Sequence, residues 1–202
     1  MNKVYIFGFS GHGKVVADVA RSCGYGVEGF IDDNNSDAMT FQSFLNRFGT
    51  SMSVALGVGD NSNRKSVYQR LKNAGLEVVT LVHEKAVIGS NVQILEGTVV
   101  MAGAIVNTGS EIAEGVIINS GAVIEHDNKI GSFSHVSPNA CLAGNVQIGE
   151  LSWIGIGANV IQGINIASKV IVGAGSVVIN NINNESTVVG VPAKKIAGKN
   201  NG

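Results

Sequence analysis

The sequence predicts a small α/β unit followed by a parallel β-helix of hexapeptide repeats, and two observations carry that prediction. The first is a run from Ile88 to Asn183 in which each hexad begins with an aliphatic residue: Ile88, Ile94, Val100 and so on to Val172 and Val178, sixteen in succession. The fifth residue of each hexad is small or β-branched, from Val92, Thr98 and Ala104 to Ser176 and Ile182, with Asn128 as the one exception. An α-helix cannot keep one face through such a run, because six residues turn it by about 600°. Short strands joined by turns can, with those two positions pointing inward. Three hexads close a triangular coil, so residues eighteen apart stack at about 4.8 Å and the prism is roughly 25 Å long. Crossovers between parallel strands are right-handed as a rule, and periodicity alone predicts that hand.

The second observation is the alternation of strand and helix over the first eighty residues. Val4 to Phe7 is an apolar run that ends in Gly8-Phe9-Ser10-Gly11-His12-Gly13. Val15, Val16, Val19 and Ala20 then keep helical spacing as far as Cys23-Gly24. Val27 to Ile31 reads as a second strand closed by Asp32-Asp33, and Phe41 to Phe48 as a short helix. Val54 to Val58 is a third strand, leading into Gly57-Val58-Gly59-Asp60-Asn61. Asn63 to Ala74 reads as an amphipathic helix with Arg64, Lys65, Arg70 and Lys72 on its wet side, and Val78 to Val82 as a fourth strand. The division predicted is an α/β domain over 1–83 and a β-helix with a C-terminal tail over 84–202.

A glycine turn after the first strand, with acids closing the second, has the outline of a dinucleotide fold. The spacing is G-x-x-G-x-G rather than G-x-G-x-x-G, and the unit is about half the length a full dinucleotide site needs. Its physical content is a helix N-terminus and free N–H groups suited to a phosphate-bearing ligand. The residues alone admit a second reading, in which the turn needs glycine for its own sake and His12, Asp32 and Asp33 are solvated loop residues.

Composition sets the outer bounds. A formal net charge of −1 supplies neither a polycation for nucleic acid nor a basic face for a membrane. Cys23 and Cys141 form no CxxC or paired ladder, which favours a reducing compartment. The first eight residues make too short an apolar run for a signal peptide, and no run approaches the roughly 20 residues that span a bilayer. A cytoplasmic protein is expected.

Glycine or asparagine sits second in many hexads, as at Gly89, Gly131, Gly149, Gly155 and Gly173, which predicts corners of positive φ there. The interior is filled with Ile and Val, so any ligand binds outside the prism or between subunits. The regularity lapses at Ile124-Glu125-His126-Asp127-Asn128-Lys129, where two acids flank a histidine beside the inward amide. One coil beyond His126 stands Gly144. A histidine over a bare glycine, with a carboxylate to orient the ring and a backbone N–H nearby, suits acyl transfer. The alternative from the residues alone is a solvated corner with a surface histidine. His135 and, one coil on, Trp153 form an aromatic outer strip, either a ligand wall or a subunit contact. The tail at Gly190-Val191-Pro192-Ala193-Lys194-Lys195 covers the open end of the sheets.

Four signatures in order (Gly8 to Gly13, Asp32-Asp33, Ile124 to Asp127, Gly190 to Lys194) resemble the bacterial hexapeptide-repeat acyltransferases that N-acetylate nucleotide-linked amino sugars. The group acting on UDP- or dTDP-linked 4-amino-4,6-dideoxy sugars, with its sialic acid O-acetyltransferase relatives, is the particular likeness. It extends from about Val4 to Ile196. The resemblance implies a left-handed β-helix, a homotrimer, acetyl-CoA as co-substrate and no metal. It implies His126 as general base with Asp127 raising its basicity, in place of the Glu that relatives carry. Substrate contacts would fall on Ser10, Gly11, His12, Asp32, Asp33, Gly57 and Asn119. Acetyl-CoA would lie near His135, Gly144, Ile156 and Ala174, the last in place of a glycine. Three other readings stand beside it: O-acetylation of a sialic acid, a three-histidine metalloenzyme drawing on His83, His126 and His135, and a non-catalytic nucleotide-binding scaffold.

Overall fold

The computed structural model describes residues 2–196. Strands β1 (Lys3–Phe7), β2 (Gly26–Ile31) and β3 (Ser53–Leu56) form a parallel sheet in the order β2-β1-β3. Helices α1 (Gly11–Ser22), α2 (Phe41–Phe48) and α3 (Asn61–Asn73) complete the unit. The side-chain alternation of β1 decides which helix lies where. Tyr5 and Phe7 pack with Phe41 and Phe44 of α2 and Leu71 of α3, whereas Val4 and Ile6 pack with Val16, Ala17, Val19 and Ala20 of α1. Thr40 and Asp60 start α2 and α3 by accepting from Ser43 N–H and Asn63 N–H. The predicted fourth strand divides: Val78 makes an isolated bridge to Val54, while Leu81–Val82 already belongs to the prism.

The prism has three faces of two-residue strands. Its first face stacks Leu81–Val82, Val99–Val100, Ile117–Ile118, His135–Val136, Trp153–Ile154 and Ile171–Val172. A second runs from Val87–Ile88 to Val177–Val178, and a third from Gln93–Ile94 to Asn165–Ile166. Inward Ile and Val fill the core as expected, from Val100 and Val106 to Val172 and Val178. The polar members of the small inward column are bonded to the next coil. Ser152 Oγ, for example, donates to Ala167 O and accepts from Val170 N–H. Asn128 replaces that hydroxyl with an amide that donates to Glu125 O and Ala143 O and accepts from Val146 N–H, so its burial costs little.

One expectation about the corners is corrected. The left-handed residue is the fourth of each hexad, recurring every six residues from Asn91 through Gly97, Gly103, Gly109 and Asp127 to Gly175. The second-position glycines serve close approach instead: a Cβ at 89 would lie 2.7 Å from Thr108 N, and one at 155 would lie 2.7 Å from Ala174 N. At the far end Thr187–Val189 continues the first face and pairs antiparallel with Lys194–Lys195 through a turn holding a cis Val191–Pro192 peptide. This hairpin is the expected cap.

The α/β unit docks on the first face. Leu81, Val99 and Ile117 point outward there and are buried in the same cluster as Val16 and Ala20 of α1. Helix α3 lies along the corner between the third and first faces. Its Tyr68 and Lys72 reach Glu96, its Arg64 reaches Gly115 O and Phe133 O, and its Asn61 reaches Leu151 O and Ser152 O. These contacts climb one coil at a time. Three coils at ~4.8 Å match the rise of about ten helical residues at ~1.5 Å each, so helix and prism stay in step. The wet side predicted for α3 is therefore an interface: Arg64 is 1% exposed, and Lys65 pairs with Glu150. Charged residues look solvated until a second body supplies carbonyls to meet them.

Candidate functional site

The outer column of the first face changes character along the prism. After buried Leu81, Val99 and Ile117 comes His135 at 8% exposure, then Trp153 at 41% and Ile171 at 45%. The cover supplied by the α/β unit ends at His135. There the N-terminus of α1 arrives, with the His12 ring centroid 6.5 Å from that of His135. Trp153 stacks on His135 from the other side, with centroids 5.4 Å apart and planes at 13°. Asn119 accepts from Ser120 N–H through Oδ1, which turns its Nδ2 toward His135 Nε2 at 3.0 Å. His135 Nε2 is thus the acceptor and its proton sits on Nδ1. His135 Nδ1 and His12 Nε2 are buried nitrogens with no partner among the described residues.

Burial, reinforced by the Arg64 charge, holds both imidazoles neutral, with pKa values drawn down to about 4 for His12 and about 3 for His135. Two buried ring nitrogens without a partner are costly for a protein to keep.

The glycine turn is built for close approach. Gly8 has φ +112, and a Cβ at 57 would lie 2.6 Å from Ile6 Cγ2 and 3.0 Å from Gly13 Cα. Gly8, Gly13 and Gly57 therefore let β1, α1 and the loop after β3 touch through backbone. Gly11 differs, because a Cβ there would meet nothing within 4 Å. Ser10 is the N-cap of α1, yet its side chain caps nothing. Asp32 accepts from Phe9 N–H and Asn34 N–H, holding the glycine turn to the end of β2. Asp33 accepts from Phe41 N–H and pairs with Arg70. Partial burial works to raise the Asp33 pKa, but those two donors outweigh it and the net shift is downward.

A separate cluster stands at the corner between the second and third faces. His126 Nδ1 lies 2.8 Å from Asp127 Oδ2, and the two side chains are 57% and 65% exposed. Asp127 occupies the left-handed corner position at φ +59. Each member rests on a missing side chain. A Cβ at 144 would lie 2.6 Å from His126 Cε1 and Nε2, and one at 109 would lie 2.5 Å from Asp127 Oδ1. With Nδ1–H directed at the carboxylate, the Nε2 lone pair is free above Gly144. The spacing of eighteen from His126 to Gly144 signalled this in the sequence, and the equal spacing from Gly109 to Asp127 is the signal that went unread.

The structure thus brings His12, Asn119 and His135 together, and separately His126, Asp127 and Gly144. Among the described residues no hydrogen bond links the two clusters. Ile156 and Ala174 stack at the corner between the first and second faces, where Gly175 N–H donates to Ile156 O. A groove of about 490 Å³ along the third face, between Gln93 and Asn183, holds none of the candidate residues. His83 Nδ1 accepts from Lys85 N–H. No three His, Cys, Asp or Glu side chains among the described residues converge as metal ligands.

A hexapeptide prism carrying a carboxylate-oriented histidine at an open corner, with an α/β unit docked beside it, defines the class of hexapeptide-repeat acyltransferases. Comparison with known proteins narrows this. Residues 3–71 match the PglD N-terminal domain family. PerB of Caulobacter crescentus, solved with CoA and GDP-perosamine, is 34% identical, with a TM-score of 0.92 over 98% of both chains. The acetyltransferase domain of PglB from Neisseria gonorrhoeae, solved with acetyl coenzyme A, is 36% identical over 97% of this chain and 100% of that one, with a TM-score of 0.91. A UDP-N-acetylbacillosamine N-acetyltransferase of Bacillus subtilis is 38% identical over 120 residues, 50% of this chain and 52% of the relative. The chain thus aligns with about half the length of that curated relative. The chain belongs to the family of left-handed β-helix sugar N-acetyltransferases. Its coil is left-handed, which corrects the hand periodicity alone predicts, since coils of opposite hand do not superpose to this degree.

Proposed function

We propose that the protein transfers the acetyl group of acetyl-CoA to the amine of a nucleotide-linked 4-amino-4,6-dideoxy sugar. The observation that carries this reading is the His126 imidazole above the bare Cα of Gly144, with Asp127 behind it at 2.8 Å. The neutral amine attacks the thioester carbonyl, forming the C–N bond, and His126 Nε2 takes the proton the nitrogen sheds. The tetrahedral oxyanion is held by a backbone N–H, which we assign to Gly144. When the C–S bond breaks, the His126 proton passes to the departing CoA sulfur, leaving an amide and free thiol. Asp127 keeps the ring in the tautomer with Nε2 unprotonated and stabilises the imidazolium that forms.

Gly11 and Ser10 support placement of the nucleotide at the α1 N-terminus, since the Ser10 side chain caps nothing and the space beside Gly11 Cα is open. Gly57 lets the neighbouring loop approach, and Asp32 and Asp33 shape the rim. His12 and His135, with their unpartnered nitrogens, and Asn119 line the path between nucleotide and acetyl donor. Acetyl-CoA runs past His135, Gly144, Ile156 and Ala174.

The reading includes a homotrimer. The outward column of the second face (Val87, Ile105, Val123, Cys141, Asn159, Val177) is apolar but for Asn159, whereas the third face carries Gln93, Glu111, Lys129, Gln147 and Asn165. His126 flanks one edge of that apolar face, and Asn119, Ile156 and Ala174 flank the other. Closed packing of prisms by this face would make the two clusters serve one reaction across the subunit boundary. No helix among the described residues is long and apolar enough to cross a membrane, in keeping with a cytoplasmic place of work.

The test is to incubate the protein with acetyl-CoA and UDP-, dTDP- and GDP-linked 4-amino sugars, with free sialic acid as comparator. The expected product is one nucleotide sugar heavier by one acetyl group. Acetylation of sialic acid alone overturns the reading. Sedimentation at equilibrium checks the trimer.

A further inference from the structure

Arg64 is a buried guanidinium with no hydrogen-bonded carboxylate partner among the described residues. Its Nη1 donates to Gly59 O at 2.9 Å and to Val58 O at 3.3 Å, both in the loop after β3. Its Nε donates to Gly115 O at 2.6 Å, and its Nη2 to Phe133 O at 2.7 Å and Ser134 O at 3.2 Å, all in the prism. A further bond from Nη2 to Asn61 Oδ1 at 2.8 Å fixes the fork within α3. Burial draws its pKa down to about 9, against the pull of Asp60, and it stays charged at neutral pH.

The five carbonyls lie at informative places. Ser134 immediately precedes His135. Gly59 lies against the His12 side chain: a Cβ there would be 3.7 Å from His12 Cβ and Cγ. Gly57, two residues earlier, touches Gly13 and Gly8 of the nucleotide-facing turn. One planar side chain thus joins the loop supporting the glycine turn to the coil bearing His135.

The prism does not depend on this fork, because His135 N–H is held by Ser152 O and Ser137 N–H by Ile154 O within the ladder. The loop does. Docking of α3 elsewhere is supplied by Asn61 to Leu151 O and Ser152 O, Lys65 to Glu150, and Tyr68 and Lys72 to Glu96, none of which reaches the carbonyls of Val58 and Gly59.

We propose that Arg64 is a positioning residue that sets the Gly57–Asp60 loop, and with it the nucleotide-sugar site, at a defined offset from the acetyl-CoA site on the prism. This rests on the N-acetyltransferase reading above. Lysine cannot replace it, because an ammonium lacks the planar fork that reaches carbonyls of both bodies at once.

The test compares Arg64→Lys, Arg64→Met and, as control, Lys65→Ala. For both Arg64 variants KM for the nucleotide sugar should rise about tenfold or more while kcat and KM for acetyl-CoA change less than about threefold. Lys65→Ala should leave all three near wild type. Hydrogen exchange at Gly57–Asp60 should quicken in the Arg64 variants, with exchange at Val99–Met101 in the prism unchanged. Equal rises in both KM values, a fall in kcat alone, or the same effect from Lys65→Ala overturns the proposal. If Arg64→Met does not fold, Arg64→Lys decides. If the wild type acetylates no nucleotide sugar, the functional reading fails by itself, and unchanged exchange at Gly57–Asp60 then overturns the role of Arg64 separately.

Discussion

His126 stands apart from the pair His12 and His135, and in the proposed reaction the contrast separates proton transfer from recognition. His126 is half exposed, backed by a carboxylate, and overhangs an open glycine. His12 is half-buried and His135 buried; both sit near the Arg64 charge with no carboxylate partner among the described residues, and they stay neutral through the physiological range. In the proposed reaction the first accepts a proton from the substrate and returns it. The second pair offers ring nitrogens whose charge does not switch with pH, which in the proposed reaction suits fixing a ligand in place.

The sharpest way to break that contrast is His126→Ala. Turnover should fall by about 10²- to 10⁴-fold, with the thermal midpoint unmoved because the side chain is exposed; steady-state kinetics and a melting curve together check it. Unchanged turnover would remove His126 from the mechanism. Next is Gly144→Ala, whose new methyl would occupy the space of the ring. Displacing the imidazole by about 1 Å should cost on the order of a hundredfold in kcat, while circular dichroism stays native.

A third test addresses the buried pair through stability. Their folded pKa values of about 4 and about 3 lie below the ~6.5 of an unfolded histidine, so below pH 6.5 the unfolded chain binds protons the folded one refuses. Stability should fall as pH drops from about 6.5 toward 4, at up to about 1.4 kcal/mol per pH unit for each histidine, and be level above it. Denaturant midpoints in wild type and His135→Gln measure this, the variant having the shallower slope. The smallest effect is expected from Trp153→Ala. Loss of the stack on His135 should cost about 1 kcal/mol beyond lost area and raise KM for acetyl-CoA more than KM for the sugar.

Much of this was legible from residue order. Aliphatic residues at every sixth position require an inward column, and a spacing of eighteen placed His126 over Gly144 and His135 beside Trp153 before any coordinates. Local chemistry also marked the glycine turn. The corner glycines were misread because composition cannot separate a residue needed for positive φ from one needed for close backbone approach. Both requirements select glycine, and only the dihedral angles and the next coil distinguish them.

By itself, then, the sequence determined the prism, its cap and the His126 corner. Each coil is specified by contacts to the coils above and below it, so a short period repeated sixteen times over-determines the outcome. Only the tertiary structure decided how the α/β unit sits on it. Arg64 reads as one more solvated cation on an amphipathic helix until the carbonyls of Gly115, Phe133 and Ser134 arrive from residues 51 to 70 positions away. The same docking brings half-buried His12 against buried His135 and sets that pair apart from His126. Interactions between two bodies leave no period in the chain, and their partners become neighbours only once both bodies have folded.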